Sequence, residues 1–565
     1  MLRREPQLRE QQMFLHELVS EIVERGPHAA RFFLYLASIL DLDLHKVSST
    51  GTPPYSRATL LASIFYAMYS GHFASEKIIA FLHDSIGAQW ILNGMAIPSR
   101  KTIDRVIDSL LLEIGNFYTQ ILELCDSVGL IGGERVYIDG TKKQANASKH
   151  KAMSYGYLKE KIANGKEALK ILFAELRSIM DGIEELTDDE FEALVLEDAA
   201  ATRAELRKSH KQDLAEKQDQ IFNIDSKAKP PENKETATEK LKKDLVSLQN
   251  IEPESQDKAV EMLSDIAFGT ARVERMAEAQ TILEKKWEKE HGKSKIPDKK
   301  QINFTDPDSS IMQTKHHGVQ QCFNHQAIID DRANIIIGTY TSNNSSDQLG
   351  LIPAIENTKR TFGSLEGIVL GGDAGYFSAA NIAFTIDEGI DFYASFPESK
   401  SLFAKDKFEY NEQLDAYICP NGNTLNLQNC CISESSEKRL YSNESACHSC
   451  PNGKDCAKAN DGVRRIERDM VYDKLREDAK EKAQSELGKD VLRHRKHIPE
   501  PVFGNIITQD SFTQSHFRGN EKAGFEFDLH CAFQNIRKLF KVYLSSKSFQ
   551  DVVHSRECLY YLSSA

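Results

Sequence analysis

Residues 367–376 read Gly-Ile-Val-Leu-Gly-Gly-Asp-Ala-Gly-Tyr, and this stretch decides the fold class. An apolar run that ends in glycines and one acid predicts a short buried strand with Asp373 at its carboxyl end. The segments that follow, 378–388 and 391–396, predict a helix and another strand. In open α/β sheets, functional sites form outside the carboxyl ends of the strands. The stretch therefore predicts an α/β sheet with Asp373 at its functional edge.

Three segments upstream extend this sheet. Residues 134–139, Glu-Arg-Val-Tyr-Ile-Asp, predict a buried strand that ends in Asp139. Apolar runs over 319–329 and 333–341 flank a polar turn and predict a hairpin, and a helix is expected over 347–358. The order strand, hairpin, helix, strand, helix, strand is typical of an α/β core. If the two acid-bearing strands are neighbours, both acids share one crevice.

The first 130 residues have helical patterns. Ser99 is a suitable N-cap, and apolar residues recur at helical spacing from Ile103 to Leu122, which predicts one helix of about six turns. The basic residues at its start could belong to a helix-turn-helix that binds DNA. A small bundle that packs or dimerises explains the pattern equally well.

Between residues 151 and 305 the chain is charged and helix-prone. Residues 161–300 carry 25 Lys and Arg against 31 Asp and Glu, so that 56 of 140 positions are charged. Pro230 and Pro231 divide this stretch into two helical arms. Such a segment usually forms a solvated helical hairpin or a coiled coil, and we expect that role rather than a catalytic one.

The composition restricts the class of protein. The 565 residues include 71 Lys and Arg against 84 Asp and Glu, a formal net charge of −13, and the pI is near 5.8. This balance confines any nucleic-acid site to local basic patches. The first residues have no apolar signal segment, and the apolar run 32–40 is too short to cross a bilayer. Ten cysteines are too few for a disulfide scaffold. We therefore expect a soluble cytoplasmic protein.

A third acid follows a second interruption of the core. Glu500 precedes Pro501, which suits the first turn of a helix, and the chain closes with a predicted helix over 525–543. Carboxylate oxygens are the ligands that Mg²⁺ prefers, and paired ions can activate a nucleophile and stabilise the leaving oxygen of a phosphodiester. A single acid at an element end is more often a turn former or a cap, so position alone does not establish a metal site.

Six of the ten cysteines lie between residues 400 and 490. The thiols whose spacing could supply a structural zinc site are Cys419, Cys447, Cys450 and Cys456. Only one pair has the C-x2-C spacing, and Cys430, Cys431 and His448 are further candidates. Reduced buried thiols explain the cluster equally well.

Several short motifs occur in an order that matches a known family. They are 138–146, Ile-Asp-Gly-Thr-Lys-Lys-Gln-Ala-Asn; 323–327, Phe-Asn-His-Gln-Ala; 372–376, Gly-Asp-Ala-Gly-Tyr; 500–504, Glu-Pro-Val-Phe-Gly; Arg518-Gly519; and 535–539, Asn-Ile-Arg-Lys-Leu. With these motifs, and with segment 54–106, the chain resembles bacterial insertion-sequence transposases that carry a D-D-E triad on a ribonuclease-H-like core. More narrowly, it resembles the subgroup with an N-terminal helical domain and a Cys-bearing insertion.

The resemblance implies both a site and a fold. It implies that Asp139, Asp373 and Glu500 are catalytic and hold Mg²⁺ or Mn²⁺. It also implies a mixed five-stranded sheet in which the first acid lies on the first strand and the second follows the fourth. Such proteins recognise terminal inverted repeats in double-stranded DNA, cut the ends with water and join the freed 3′-hydroxyl to target DNA. They usually act as homo-oligomers on DNA. For this chain the resemblance implies the same assembly, associated with the nucleoid in the cytoplasm.

Basic residues near the predicted core are the expected DNA contacts. They are Arg100, Lys101, Arg105, Lys142, Lys143, Arg493, Arg495, Lys496 and Arg518. Binding through such residues should weaken steeply with salt, because it releases counterions from the phosphates.

The chain departs from its relatives around the third acid. Many relatives carry a tyrosine and an arginine before it and a lysine seven positions after it. Arg495 can take the place of the arginine, whereas Leu492 and Ile507 occupy the positions of the tyrosine and the lysine. Lys496 or Arg518 could substitute for that lysine. Two alternatives follow: a catalytically weakened, transposase-derived DNA-binding protein, and a ribonuclease-H-like repair nuclease without joining activity.

The predicted organisation has six segments. They are an N-terminal helical DNA-binding domain (1–130), the first part of the core (131–150), the charged helical insertion (151–305), the core continued (306–400), the Cys-rich insertion (401–490) and the core helices with the third acid (491–565).

Overall fold

The computed structural model describes residues 23, 28–43, 56–93, 95–179, 253–314, 318–396, 399–432 and 437–553. The chain forms two compact units, one of residues 1–146 with 311–565 and the other of residues 147–310. The break predicted at Pro230 and Pro231 lies outside the described residues. In the part of the chain that is described, no helix is long and apolar enough to cross a membrane.

The secondary structure alternates between helical and strand-rich regions. The helices are α1 (Ala29–Ile39), α2 (Arg57–Tyr69), α3 (Ser75–Asp84), α4 (Ile86–Leu92), α5 (Arg100–Leu112), α6 (Ile114–Ser127), α7 (Tyr155–Ile179), α8 (Pro253–His291), α9 (Leu351–Thr361), α10 (Ala379–Asp387), α11 (Glu444–His448), α12 (Gly453–Cys456), α13 (Tyr472–Gln484), α14 (Glu486–Arg495), α15 (Pro499–Thr508) and α16 (Asn520–Ser545). The strands are β1 (Arg135–Gln144), β2 (Ala152–Ser154), β3 (Gln301–Asn303), β4 (Ser310–Thr314), β5 (Gly318–Asp330), β6 (Ile335–Ser342), β7 (Val369–Gly372), β8 (Asp391–Ala394), β9 (Glu409–Asn411), β10 (Ala416–Ile418), β11 (Thr424–Ile432), β12 (Glu437–Ser442) and β13 (Ile466–Asp469).

The larger unit is built around a mixed sheet. β1 pairs antiparallel with β5 on one edge and parallel with β7 on the other. β6 pairs antiparallel with β5, and β8 pairs parallel with β7. The core strands therefore lie in the order β6–β5–β1–β7–β8, and β4 also pairs with β5. This sheet is consistent with the ribonuclease-H-like fold, because one acid lies on β1 and another directly follows β7.

Asp139 lies in the middle of β1, so the prediction that its strand ends there is wrong. β1 continues to Gln144 because β5 pairs with it over its whole length from Val136 onward. The apolar run stops at Ile138, but the backbone ladder does not require apolar side chains. The length of β1 is therefore set by its long neighbour, which no local pattern reveals.

The single helix predicted from Ser99 is in fact two helices, α5 and α6. Ser99 caps α5 as expected, because its Oγ accepts a hydrogen bond from the backbone N–H of Thr102. The helical backbone is interrupted at Glu113, where φ is −95° and ψ is 10°. Ile114 continues the buried stripe of Leu110 across the interruption. The apolar spacing therefore hides the break.

Helix α16 joins the N-terminal helices to the sheet. The fully buried side chain of Asn535 donates from Nδ2 to the carbonyl oxygen of Ile336 in β6 (2.8 Å) and accepts from its N–H (2.9 Å). On the same helix, the ring of Phe533 contacts Phe65 of α2, with centroids 5.7 Å apart. The helices before residue 130 and the sheet thus share one hydrophobic core.

Gly371 in β7 is a site of close packing. A Cβ at this position would lie 2.6 Å from Cδ1 of Tyr137 and 3.1 Å from Cγ1 of Val491. We expect Gly371→Ala to lower the free energy of unfolding by about 1–3 kcal/mol, the usual cost of overpacking. Gly504→Ala is the control for urea unfolding, because a Cβ there meets nothing within 4 Å and alanine favours a helix. Equal destabilisation by both substitutions would contradict this explanation.

The smaller unit, 147–310, contains the described parts of the charged insertion. Helices α7 and α8 pack against each other through a narrow strip of apolar side chains. Strand β2, which precedes α7, pairs with β3, which follows α8. Within the apolar strip, Tyr155 of α7 donates from its hydroxyl to Oε1 of Glu284 in α8 at 2.6 Å. These described segments have the arrangement of a helical hairpin.

The Cys-rich region contains a second sheet, which the sequence patterns do not reveal. Its five strands are antiparallel and lie in the order β13–β12–β11–β10–β9. Its core is small. The buried side chains of this core are those of Phe408, Tyr417, Leu425, Tyr441 and Ile466. Helices α11 and α12 follow this sheet's fourth strand in the chain; Cys447 lies in α11, Cys456 in α12 and Cys450 between them.

Candidate active site

Asp139 and Asp373 meet at the guanidinium group of Arg495. Because β1 and β7 are parallel neighbours, Asp139 in β1 and the residue that follows β7 lie close together. Nη2 of Arg495 lies 3.2 Å from Oδ2 of Asp139 and 3.6 Å from Oδ2 of Asp373. Arg495 is the last residue of α14. The structure thus brings together two of the predicted acids and the arginine that the resemblance singled out.

Backbone N–H groups hold the other oxygen of each carboxylate. Oδ1 of Asp139 accepts from the N–H of Gly140 at 2.9 Å, and Oδ1 of Asp373 accepts from the N–H of Gly375 at 2.8 Å. Each carboxylate therefore has one oxygen held by the backbone and one directed at the shared cation.

Glu500 lines the same cleft as Asp139. It lies in the first turn of α15, and its side chain is exposed. The cleft has a volume of about 600 Å³, and its walls include Lys142, Asp347 and Ile507. Ile507, at the position of the lysine in the relatives, contributes a partly exposed apolar side chain. All three predicted acids are thus at or beside one open cleft.

Asp347 is a further acid at this site that was not predicted. The side-chain amides of Asn324 and Gln326 on β5 donate to its Oδ1 at 2.7 and 3.1 Å. The buried hydroxyl of Tyr376 donates to Oε1 of Gln326. Residues of two motifs that carried the resemblance therefore orient Asp347.

Two glycines allow Asp347 to approach the other acids. A Cβ at Gly140 would lie 2.8 Å from Oδ1 of Asp347. A Cβ at Gly375 would lie 3.4 Å from Cβ of Asp347 and 2.9 Å from Oδ1 of Asp373. Gly140 and Gly375, which closely follow Asp139 and Asp373, were the sequence signal that the acids of this site are tightly packed.

The surroundings raise the pKa of Asp139 to about 6. Burial is the main cause; Arg495 acts in the opposite direction, and the nearby charges of Asp373 and Asp347 raise the pKa further. A buried carboxyl group whose pKa is raised beside other acids is typical of catalytic and metal sites.

Lys143, one of the predicted DNA contacts, is buried in this structure. Only 3 % of the residue is exposed, and its Nζ lies 5.7 Å from the ring centroid of Phe512. Neighbouring side chains on a strand point to opposite faces, so the two lysines are not equally accessible to DNA. Both residues border the cleft, but only Lys142 keeps appreciable solvent exposure.

We expect Lys143→Met to stabilise the protein. Burial lowers the pKa of Lys143 from 10.5 to about 8, so at pH 7 the folded protein bears the cost of a buried ammonium group. The substitution should raise the free energy of unfolding at pH 7 by roughly 2 kcal/mol. The unfolded chain keeps this proton to higher pH than the folded one, so wild-type stability should rise from about pH 8 toward pH 10 and the variant should lack that rise.

Lys142→Met is the matched control, measured by urea unfolding and DNA gel shift. It should weaken DNA binding and reduce the salt dependence while stability stays nearly unchanged. A Lys143→Met variant that lost DNA affinity without gaining stability would show that Lys143 faces DNA after all.

Other predicted contacts near the site are accessible. Arg493 and Lys496, at the end of α14, are exposed. Arg518 is also exposed, and its Nε donates to the carbonyl oxygen of Asn146 at 3.1 Å. These cations and Lys142 remain proposed DNA contacts.

The basic residues of α5 have mixed surroundings. Lys101 and Arg105 are exposed. Arg100 lies 2.5 Å from Oε1 of Glu76 and 3.6 Å from Oδ2 of Asp104, so acids already balance its charge. The structure thus favours Lys101 and Arg105 over Arg100 as phosphate contacts on this helix.

The donor set at the cleft fits a hard divalent cation. Carboxylate oxygens are what Mg²⁺ and Mn²⁺ prefer, and Asp139, Asp373, Glu500 and Asp347 supply them. Among the described residues, no three His, Cys, Asp or Glu side chains are arranged to hold a metal ion as they stand. Arg495 instead balances the charge that a divalent cation would balance.

The structure separates the predicted zinc ligands from the alternatives. One small cavity is lined by four cysteines: Cys419, Cys447, Cys450 and Cys456. Cys430 and Cys431 are exposed on β11, and Nε2 of His448 lies 2.9 Å from the carbonyl oxygen of Asp461. The four residues chosen by spacing are therefore the ones that share a cavity.

Comparison with known proteins gives one match. Residues 418–540 match a family described as "Transposase DDE domain". No curated protein and no solved structure matches the chain. The matched segment includes Arg495 and Glu500, whereas Asp139 and Asp373 lie before it. Over this segment the chain is similar to DDE transposases, which supports a transposase with a ribonuclease-H-like fold.

Proposed function

We propose that this protein is a DDE transposase of insertion-sequence type that binds terminal inverted repeats, cleaves the DNA ends and joins the freed 3′-hydroxyl to target DNA. The observation that carries the proposal is the meeting of Asp139 and Asp373 on Arg495. Glu500 completes the triad from the segment that is similar to transposase DDE domains.

Asp139, Asp373 and Glu500 would hold Mg²⁺ or Mn²⁺, with Asp347 beside them. When bound, such ions lower the pKa of water and stabilise the leaving oxygen of a phosphodiester. The chain itself orients the acids: N–H groups fix one oxygen of each aspartate, and Asn324 and Gln326 fix Asp347. Arg495 keeps the two aspartates together before DNA and cations arrive.

The cleft wall would bind the DNA backbone. Lys142 lines it, and the exposed Arg493 and Lys496 stand at the end of the helix that carries Arg495. Phosphate contacts of this kind position a duplex without reading its sequence. We place recognition of the ends with Lys101 and Arg105 on α5, assembly as a homo-oligomer on paired ends, and action on the nucleoid in the cytoplasm.

A second function, a transposase-derived DNA-binding protein with weakened cleavage, is favoured by one observation. Ile507 contributes an apolar side chain to the cleft where relatives carry a cation. Loss of a charge-assisted phosphate contact weakens positioning of the DNA end. Ile507→Lys should then raise cleavage, whereas a fully competent site should gain little.

A labelled DNA fragment that carries the sequences flanking the coding region tests the proposal. With Mg²⁺ the protein should nick this fragment at one end position and join a pre-cut 3′ end to a second DNA. Cleavage without joining would indicate a repair-type nuclease. Binding without cleavage, in wild type and Asp139→Ala alike, would leave only the DNA-binding function.

A further inference from the structure

We propose that Cys419, Cys447, Cys450 and Cys456 bind one structural Zn²⁺ that ties the β10–β11 turn to the segment carrying α11 and α12. The four thiols line one cavity whose free volume is about 30 Å³. That space holds one or two water-sized occupants, so it suits one ion rather than a multi-iron cluster.

The thiols are close enough to act on one another. Burial raises the pKa of the Cys456 thiol, and the neighbouring Cys447, Cys419 and Cys450 act in the same direction. Arg464 beside them acts in the opposite direction. Each of the four is a free cysteine rather than half of a disulfide.

The backbone around Cys419 has the form of a ligand-presenting turn. The N–H of Gly422 donates to the carbonyl oxygen of Cys419 at 2.8 Å, and Gly422 adopts a φ of 78° that favours glycine. The backbone N–H of Asn423 then points at Sγ of Cys419 (3.4 Å), and Nδ2 of Asn421 lies 3.1 Å from Sγ of Cys450. Donors directed at sulfur stabilise the thiolate form that binds metal.

The local core explains why a metal would be needed. The second sheet buries only a handful of large apolar side chains, and small cores are usually supplemented by a metal or disulfides. A zinc ion would connect the turn after β10 with residues about thirty positions later, as structural zinc sites do. Binding requires the sulfurs to draw inward, because they do not yet surround a common metal position.

The experiment measures metal in the full-length protein purified without chelators. Elemental analysis should find about one zinc per chain, the stoichiometry of a four-thiolate site. Zinc should be released only as thiols beyond the exposed Cys430 and Cys431 are titrated with a mercurial reagent, with about four of these further thiols modified per ion released. Zinc near zero in folded wild-type protein, or iron in its place, would overturn the inference without bearing on DNA cleavage.

The chain offers a matched control. Cys447→Ser with Cys450→Ser should lose the zinc, whereas Cys430→Ser with Cys431→Ser, which removes two exposed thiols from the same sheet, should keep it. If the first variant fails to fold, the mercurial titration of wild type still decides. Equal zinc content in both folded variants would contradict the assignment.

Discussion

Asp139→Asn and Asp373→Asn should each lower the rate of DNA-end cleavage by about 10³-fold or more. A metal centre supplies several kcal/mol of transition-state stabilisation, and about 4 kcal/mol corresponds to 10³-fold in rate. Asparagine keeps the shape of the side chain but removes the charge that would hold the ion. The measurement is single-turnover cleavage of labelled end DNA in Mg²⁺.

The control for these variants is another aspartate on the same sheet. Asp391 begins β8 and pairs with Lys482 at 2.5 Å, away from the shared cleft. Asp391→Asn should cleave at nearly the wild-type rate, and all three variants should bind DNA in gel shifts. If Asp139→Asn cleaved as fast as Asp391→Asn, the carboxylate of Asp139 would have no part in the reaction.

Arg495→Ala should destabilise the metal-free protein and enlarge its response to Mg²⁺. The guanidinium group lies between the carboxylates of Asp139, which is mostly buried, and Asp373, which is about one-third exposed. Removing it should cost about 1–2 kcal/mol, between the values for exposed and fully buried ion pairs. Added Mg²⁺ would then replace the missing positive charge. Melting temperature measured against Mg²⁺ concentration should show a lower starting value and a larger rise than in wild type.

The destabilisation caused by Arg495→Ala should increase with pH. Arg495 lowers the pKa of Asp139, which burial raises to about 6, so the variant should have a still higher pKa. In the variant, Asp139 is protonated, and the cost of its buried charge removed, as the pH falls through this higher pKa. The destabilisation should therefore be large at pH 8 and small at pH 5.

Arg493→Ala is the matched control for Arg495→Ala. Arg493 lies on the same helix, is exposed and has Asp490 as a partner at 3.9 Å. Its replacement should leave the melting temperature and the Mg²⁺ response unchanged. The same behaviour in both variants would mean that Arg495 does not hold the aspartates.

The position of Asp373 could be predicted because local pattern decides it. A short strand, two glycines and an acid leave little choice, and the pairing of β7 with β1 then brings Asp373 to Asp139. The place of Arg495 followed from resemblance alone, since nothing in residues 491–500 shows which cation turns toward the acids.

Asp347 and Lys143 show what local pattern cannot supply. Asp347 begins a helical turn and has the sequence of an ordinary cap; only the packing of β5 against it reveals the site. Lys143 is half of a basic pair that suggests a DNA contact. The alternation of a strand required one member to point inward, but the strand had been predicted to end before it.

The motif residues of α16 also have an explanation that sequence did not offer. Asn535 satisfies the backbone of Ile336 in β6, and Arg537 donates to Oδ1 of buried Asp510 at 2.5 Å and to the carbonyl oxygen of Tyr69 at 2.8 Å. These contacts hold α16 against β6 and against the end of α2, and they join residues that are far apart in the sequence. The motif therefore preserves architecture as well as chemistry.

Metal-directed cleavage of the protein itself tests the central claim most directly. Fe²⁺ can replace Mg²⁺ among carboxylates, and with ascorbate and peroxide it generates radicals that cut the polypeptide beside the ion. We predict fragments that end near residues 139, 373 and 500 together, with Asp139→Asn removing all three sets at once. Fragments near only one of these positions, or three sets that persist in the variant, would contradict a single metal centre built from the three acids.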